Sequence, residues 1–185
     1  MKKLLLVGAG GFGRVVLEHA IQQYDCSFLD DNCTGIINGA LIVGKTTDIE
    51  KLYGQYKLLI VTIGNNILRE EIYSVAKRVG YDIPNIIDPS AYISPYASMG
   101  SGCIVLNNAV VQNNVKIGNG VILNPGVELH HDSVVGNNVT IYTNSVVRSG
   151  ARICDRVSLG STLTIGNNVV VEKDSIIGDG ETISF

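Results

Sequence analysis

Hydrophobic positions in the second half of the chain recur with a period that neither a helix nor a sheet ribbon produces. From Ile93 onward every sixth residue is aliphatic or methionine: Ile93, Met99, Val105, Val111, Ile117, Leu123, Leu129, Val135, Ile141, Val147, Ile153, Leu159, Ile165, Val171, Ile177 and Ile183, with no insertion. Two residues before most of these stands a small or β-branched side chain, as at Ala97, Cys103, Ala109, Val121, Ser133, Ser145 and Val157. A glycine often follows, as at Gly100, Gly118, Gly136 and Gly160. Helices repeat every ~3.6 residues and strands every second one, so a period of six means a short strand plus a turn wound around a prism. With three faces per coil, eighteen residues return the chain one strand spacing, ~4.8 Å, higher. The aliphatic of each hexad then points inward and stacks on its copies above and below.

The first half has a different pattern. Leu4 to Val7 is an apolar run of strand length, followed by Gly8-Ala9-Gly10-Gly11-Phe12-Gly13 and a helical stretch from Arg14 to Gln23. This is G-x-G-x-x-G between a strand and a helix, where glycines let a pyrophosphate approach the backbone and the helix amides bond it. A second strand, Ser27 to Leu29, ends in Asp30-Asp31, close to the spacing at which an acid meets a ribose or a base edge. A third, Leu58 to Ile63, ends in Gly64-Asn65-Asn66. The helix after it carries Ile67, Leu68, Ile72, Val75, Ala76 and Val79 on one side and stops at Gly80. The expected fold is therefore α/β plus β: a small Rossmann-like βαβαβ domain over residues 1–89, then a parallel β-helix over 90–185. Gly10, Gly11, Phe12, Asp30, Asp31, Gly64 and Asn65 are the expected binding residues of the first domain.

Composition narrows the function. Of 185 residues, 45% are apolar and 17% charged, with a formal net charge of −3 and 14 Lys plus Arg. That excludes disorder and leaves no basic face for nucleic acid or an anionic membrane. No apolar run approaches the ~18 residues needed to span a bilayer, and Met1-Lys2-Lys3 before Leu4 to Val7 is too short for a signal peptide. A cytosolic protein is expected. The four cysteines, Cys26, Cys33, Cys103 and Cys154, form no C-x-x-C pair, so free thiols and no metal are expected. The 21 glycines and 6% aromatics suit a core of small stacked aliphatics.

Two of the three histidines, His130 and His131, are adjacent in the middle of the repeat, and Asp132 follows. His supplies a base near neutral pH, and a neighbouring carboxylate fixes its tautomer and raises its basicity. His131, one residue further into the corner than His130, projects outward. His19 reads as a helix-surface residue. Counting by eighteen puts Asn113 one coil below His131 and Ser149 one coil above. The main-chain N–H near Ser149 is thus the nearest donor for an oxyanion beside the base, and the Ser149 side chain is expected to be silent.

The unbroken hexads resemble the hexapeptide repeat of left-handed β-helix acyltransferases. The chain from Leu5 to about Gly180 resembles bacterial sugar O- and N-acetyltransferases of the sialic acid O-acetyltransferase family. The matching strings are Phe28-Leu29-Asp30-Asp31, Ile63-Gly64-Asn65-Asn66 with Arg69, Ile122-Leu123-Asn124, and His131-Asp132 before Val134-Val135-Gly136. The resemblance implies a homotrimer that moves acetyl from acetyl-CoA to the amine of a UDP-linked amino sugar in bacterial glycan synthesis. In it His131 is the base and Asp132 its partner, and CoA lies between neighbouring β-helices near Thr140, Gly160, Ser161, Gly178 and Asp179. Phe12 and Thr140 each stand where the family usually has a histidine. Three alternatives stay open: an O-acetyltransferase acting on a sialic acid, a nicotinamide oxidoreductase using the same Gly-rich turn, and a non-catalytic nucleotide-sugar-binding relative.

Overall fold

The computed structural model of the chain describes residues 1–184. They fall into two compact units, which divide between Ile86 and Ile87. The coil ladder is already running at this point, since the Asp88 N–H donates to the Val105 carbonyl at 2.8 Å.

The first unit is a five-stranded sheet built from β1 (Lys2–Val7), β2 (Tyr24–Leu29), β3 (Ile36–Ile37), β4 (Ala40–Gly44) and β5 (Leu58–Val61), in the order β3-β4-β2-β1-β5. All neighbours are parallel except the β3–β4 hairpin. Leu4, Leu5, Leu6 and Val7 are fully buried, the continuous apolar run of a central parallel strand covered on both faces. Helix α1 (Gly11–Ala20) links β1 to β2, a short α2 (Ile49–Leu52) precedes β5, and α3 (Asn66–Val79) follows it. Helix α3 ends at Gly80, which takes φ +105° as a left-handed cap. Because β2 and β5 flank β1 on opposite sides, the chain reverses direction across the sheet at the carboxyl ends of β1 and β5. Open α/β sheets bind ligands at such a crevice.

The hairpin was not foreseen from the sequence. Asn38 at φ +47° and Gly39 at φ +86° form its turn, and both need the left-handed region that Asn and Gly tolerate best. The Gly-rich turn also has a steric reason. A Cβ on Gly13 would overlap the Gly8 carbonyl oxygen and come within 3.0 Å of its carbon, so glycine there lets α1 pack directly on the end of β1.

The second unit is a left-handed parallel β-helix of three sheets with six, five and six two-residue strands. Each strand pairs with the one eighteen residues on, as Val111 with Leu129 and Leu129 with Val147. The hexad aliphatics from Val105 to Val171 are buried and stack in a single core with Cys103, Ala109, Val115, Val121, Val127 and their later equivalents. The corners show a second period of six. Gly102, Asn108, Asn114, Gly120, Gly126, Asp132, Asn138, Asn144 and Gly150 all have positive φ, and the series continues to Gly180. Gly, Asn and Asp dominate these corners because they enter the left-handed region at least cost.

Candidate active site

The corner after the strand Glu128–Leu129 carries His130, His131 and Asp132. The left-handed backbone of Asp132, φ +63°, turns the chain there and swings its carboxylate back onto the preceding residue. Its Oδ2 lies 2.8 Å from His131 Nδ1, and its Oδ1 accepts from Asn114 Nδ2 at 2.6 Å, one coil below. The His131 bond first, and the Asn114 bond after it, hold the Asp132 carboxyl below the usual carboxylate range. An ionised Asp132 accepts only, so in a neutral His131 ring the tautomer that pairs with it carries the proton on Nδ1 and leaves the lone pair on Nε2. The main chain of His131 is fixed as well, its N–H donating to Gln112 Oε1 at 3.0 Å.

Ser149 corrects one expectation. Its Oγ lies 2.9 Å from His131 Nε2, so the side chain occupies the proton-accepting face of the base rather than standing aside. Counting by eighteen had found the position; the rotamer that turns Oγ toward the ring could not be read from spacing. His130 instead turns back to its own strand, with Nε2 3.3 Å from Glu128 Oε2. His131 and Asp132 open onto a hollow of about 610 Å³ whose walls include Tyr92, Pro95, Tyr96, Gln112 and Asn113. The two tyrosines, both exposed, were not singled out from the sequence. They lie two coils below, Tyr92 on the strand beneath Glu128 and Tyr96 in the corner beneath Asp132.

The residues expected near CoA lie elsewhere on the prism. Gly160 with Ser161, and Gly178 with Asp179, stack at the corner that follows the strands Ser158–Leu159 and Ile176–Ile177, and Ser161 N–H donates to Asp179 Oδ1 at 2.6 Å. Thr140, on the face that leads to this corner, is only 2% exposed. Within one chain these residues and His131 therefore do not meet at one corner.

The first unit brings most of its expected residues together. A crevice of about 370 Å³ is lined by Gly10, Gly11, Phe12, Asp30, Asp31 and Gly64 among others. The two acids are already engaged. Asp30 Oδ2 accepts from Ala9 N–H at 2.7 Å and Oδ1 from the N–H groups of Asn32 and Cys33, both at 2.9 Å. Burial pushes its carboxyl up, but these bonds outweigh it and hold the group below the ordinary range. Asp31 accepts from Thr46 N–H and Oγ1. Asn65 is not in the lining: its Oδ1 caps α3, accepting from Ile67 and Leu68 N–H. Thr62, missed in the sequence, also lines the crevice and braces the turn by donating to the Gly8 carbonyl at 2.6 Å. By contrast Gly10 has nothing within 4 Å of where a Cβ would stand, so the protein itself leaves that space open.

None of the four cysteines forms a disulfide among the described residues. Among the described residues no group of three or more His, Cys, Asp or Glu could hold a metal ion, and no helix is long and apolar enough to cross a membrane.

A Rossmann-like unit followed by a hexapeptide β-helix with a carboxylate-held histidine on one corner is the architecture of a class of acetyltransferases. Comparison with known proteins places the chain within it. Sequence profiles match the PglD N-terminal domain over residues 3–76 and the bacterial transferase hexapeptide, six repeats, over residues 96–131. The acetyltransferase domain of PglB from Neisseria gonorrhoeae FA1090 is 32% identical, with a TM-score of 0.95 over 100% of this chain and 92% of that one. The same domain in complex with acetyl coenzyme A aligns at 31% identity over 98% and 95% of the two chains, with a TM-score of 0.74. The chain belongs to the family of the PglB acetyltransferase domain and joins a PglD N-terminal domain to bacterial transferase hexapeptide repeats. The fold is shared more widely: a variant of perosamine N-acetyltransferase from Caulobacter crescentus, in complex with CoA and GDP-perosamine, superposes with a TM-score of 0.63 at 24% identity over 98% of this chain and 93% of that one.

Proposed function

We propose that the protein transfers acetyl from acetyl-CoA to the amine of a UDP-linked amino sugar in the bacterial cytoplasm. The observation that carries this reading is His131, held at Nδ1 by Asp132 at 2.8 Å and lining a hollow whose walls include two tyrosines. A sugar ring stacks on tyrosine faces while its amine approaches Nε2. His131 removes the amine proton as nitrogen attacks the thioester carbonyl, and Asp132 stabilises the imidazolium that forms. Unit 1 holds the nucleotide, with the pyrophosphate over the open Gly10–Gly11 turn at the start of α1. Phe12, Asp30, Asp31 and Gly64 shape the rest of that crevice.

A homotrimer completes the site. The His131 corner of one chain faces the Thr140, Gly160, Ser161, Gly178 and Asp179 region of the next, and acetyl-CoA lies between them. The complex of the PglB domain with acetyl coenzyme A supports the choice of acetyl donor, and that of the perosamine enzyme with CoA and GDP-perosamine supports a nucleotide-linked amino sugar as acceptor. The test is an acceptor panel followed by CoA thiol release: UDP- and GDP-linked amino sugars, the matching hydroxyl sugars, and sialic acid. Turnover with a UDP-amino sugar alone is the expected result. Turnover confined to hydroxyl acceptors would make the protein an O-acetyltransferase, and turnover with GDP-sugars would overturn the choice of nucleotide.

A further inference from the structure

His131 has a serine where its substrate should be. Ser149 Oγ is 2.9 Å from Nε2, His131 Nδ1 is 2.8 Å from Asp132 Oδ2, and Asn114 holds the far carboxylate oxygen at 2.6 Å. Nucleophile, base and orienting carboxylate are thus linked in series, the arrangement that activates a serine hydroxyl for attack on an acyl group. With Asn114 the four side chains sit on three adjacent coils whose main chains are hydrogen-bonded to each other, the Asp132 N–H to the Asn113 carbonyl and the Gly150 N–H to the His131 carbonyl. The spacing is therefore built into the ladder and does not depend on a loop. The Ser149 main-chain N–H makes no hydrogen bond among the described residues, which leaves a donor beside its own Oγ for a developing oxyanion.

We propose that Ser149 is itself an acetyl acceptor, so that the protein hydrolyses acetyl thioesters through an O-acetyl-serine enzyme when no amino sugar is bound. This rests on the reading of His131 as the base for acetyl transfer. Ser149 Oγ attacks the thioester carbonyl as Nε2 takes its proton; the carbon–sulfur bond breaks, and the proton passes from Nε2 to the leaving sulfur, giving free CoA thiol. Water then attacks the ester carbonyl, His131 takes a proton from the water and returns it to Ser149 Oγ, and acetic acid leaves, losing its proton to solvent as acetate. An amino sugar in the tyrosine-walled hollow displaces the Ser149 hydroxyl from Nε2 and turns the same base to its amine, so the acceptor suppresses the hydrolysis.

The experiment incubates wild type, Ser149→Ala and Ser149→Thr with acetyl-CoA alone, follows thiol release, quenches in acid and maps acetylated peptides by mass spectrometry. Circular dichroism and the elution volume must match wild type for each variant. The expected result is one acetyl group on the wild-type peptide containing Ser149, thiol release without acceptor that falls to the uncatalysed background in Ser149→Ala, and partial retention in Ser149→Thr, which keeps the hydroxyl. Absence of the acetylated Ser149 peptide, or acceptor-independent release in Ser149→Ala at the wild-type rate, overturns the proposal. Wild type that acetylates an amino sugar but gives either of those results loses only this inference. Wild type that releases no thiol with or without acceptor overturns both this and the acetyltransferase reading.

Discussion

Two glycines three residues apart in the same turn should fail in opposite ways when changed to alanine. Gly13 has no room: its Cβ would overlap the Gly8 carbonyl oxygen, lie 3.0 Å from the carbonyl carbon and 3.2 Å from Thr62 Oγ1. That oxygen cannot step aside, because it also accepts the Thr62 hydroxyl at 2.6 Å and sits at the end of the fully buried β1. Relief requires α1 to move off the sheet, which opens the contact of Val16 and Leu17 with the core. Overpacking of this kind costs about 3 kcal/mol or more. For a unit of this size a loss on that scale lowers the midpoint of its thermal transition by roughly 10 °C or more. Gly10 is the reverse case. Its φ of −66° suits any residue, and nothing lies within 4 Å of its missing Cβ, so Gly10→Ala should leave stability within about 0.5 kcal/mol of wild type. The added methyl group projects into the space where a pyrophosphate would meet the amides of α1, so nucleotide-sugar affinity should fall at least tenfold, about 1.4 kcal/mol. Differential scanning calorimetry and titration calorimetry with the UDP-sugar read the two effects separately. A stable Gly10→Ala that binds as tightly as wild type would show that this turn is only a strand-to-helix connection.

Three further outcomes follow from single contacts. Asp30 is held below its ordinary value of 3.8 by main-chain donors, so its contribution to stability is full above that pH and is lost as pH falls through its depressed value. Asp30→Asn should therefore lower the thermal midpoint at pH 7 and flatten the acid limb of stability below pH 3.8, and an unchanged acid limb would refute the assignment. Leu129→Ala leaves a void between Val111 and Val147 in the coil stack and should cost 2–5 kcal/mol by denaturant unfolding, roughly the range for buried leucines; a loss below about 1 kcal/mol would mean the layer collapses into the gap. Asp132→Asn should reduce turnover by about tenfold, well short of the loss from removing the base, since His131 and Asp132 are each more than half exposed and water replaces part of what the carboxylate supplies. Turnover equal to wild type would leave Asp132 with only its role in turning the corner.

How much of this was legible in the sequence depended on whether backbone period or side-chain direction carried the information. The hexads located one inward aliphatic for each strand of the β-helix, because burial in stacked coils enforces an apolar position at every face, while Leu163, buried in the same core, fell outside the small-residue series two positions earlier. The left-handed corners are legible too, as Gly, Asn and Asp at a period of six. Asn38-Gly39 was an explicit hairpin signal between two short apolar runs and was missed. The acids of the first unit show the limit. Asp30 and Asp31 stand at the right distance from the Gly-rich turn and do line the crevice, but a string of residue types cannot say that main-chain N–H groups have already claimed the Asp30 carboxylate. In the same way Asn65 reads as a ligand contact or as a helix cap with equal ease, and its bonds to Ile67 and Leu68 make it a cap. For Ser149, sequence spacing gave the coil and the column, and only the side-chain rotamer gave the contact with His131.

The central claim, that His131 is the base for acetyl transfer to a nucleotide-linked amine, is tested most directly by comparing wild type with His131→Ala in a steady-state assay. Acetyl-CoA and a UDP-amino sugar are the substrates, with nucleotide-sugar affinity measured on the same samples by titration calorimetry. Turnover should fall by about 10² to 10⁴, the range for a positioned general base, while affinity stays at the wild-type value because the proposed nucleotide site lies in the other unit. A folded His131→Ala that turns over at the wild-type rate would contradict the account.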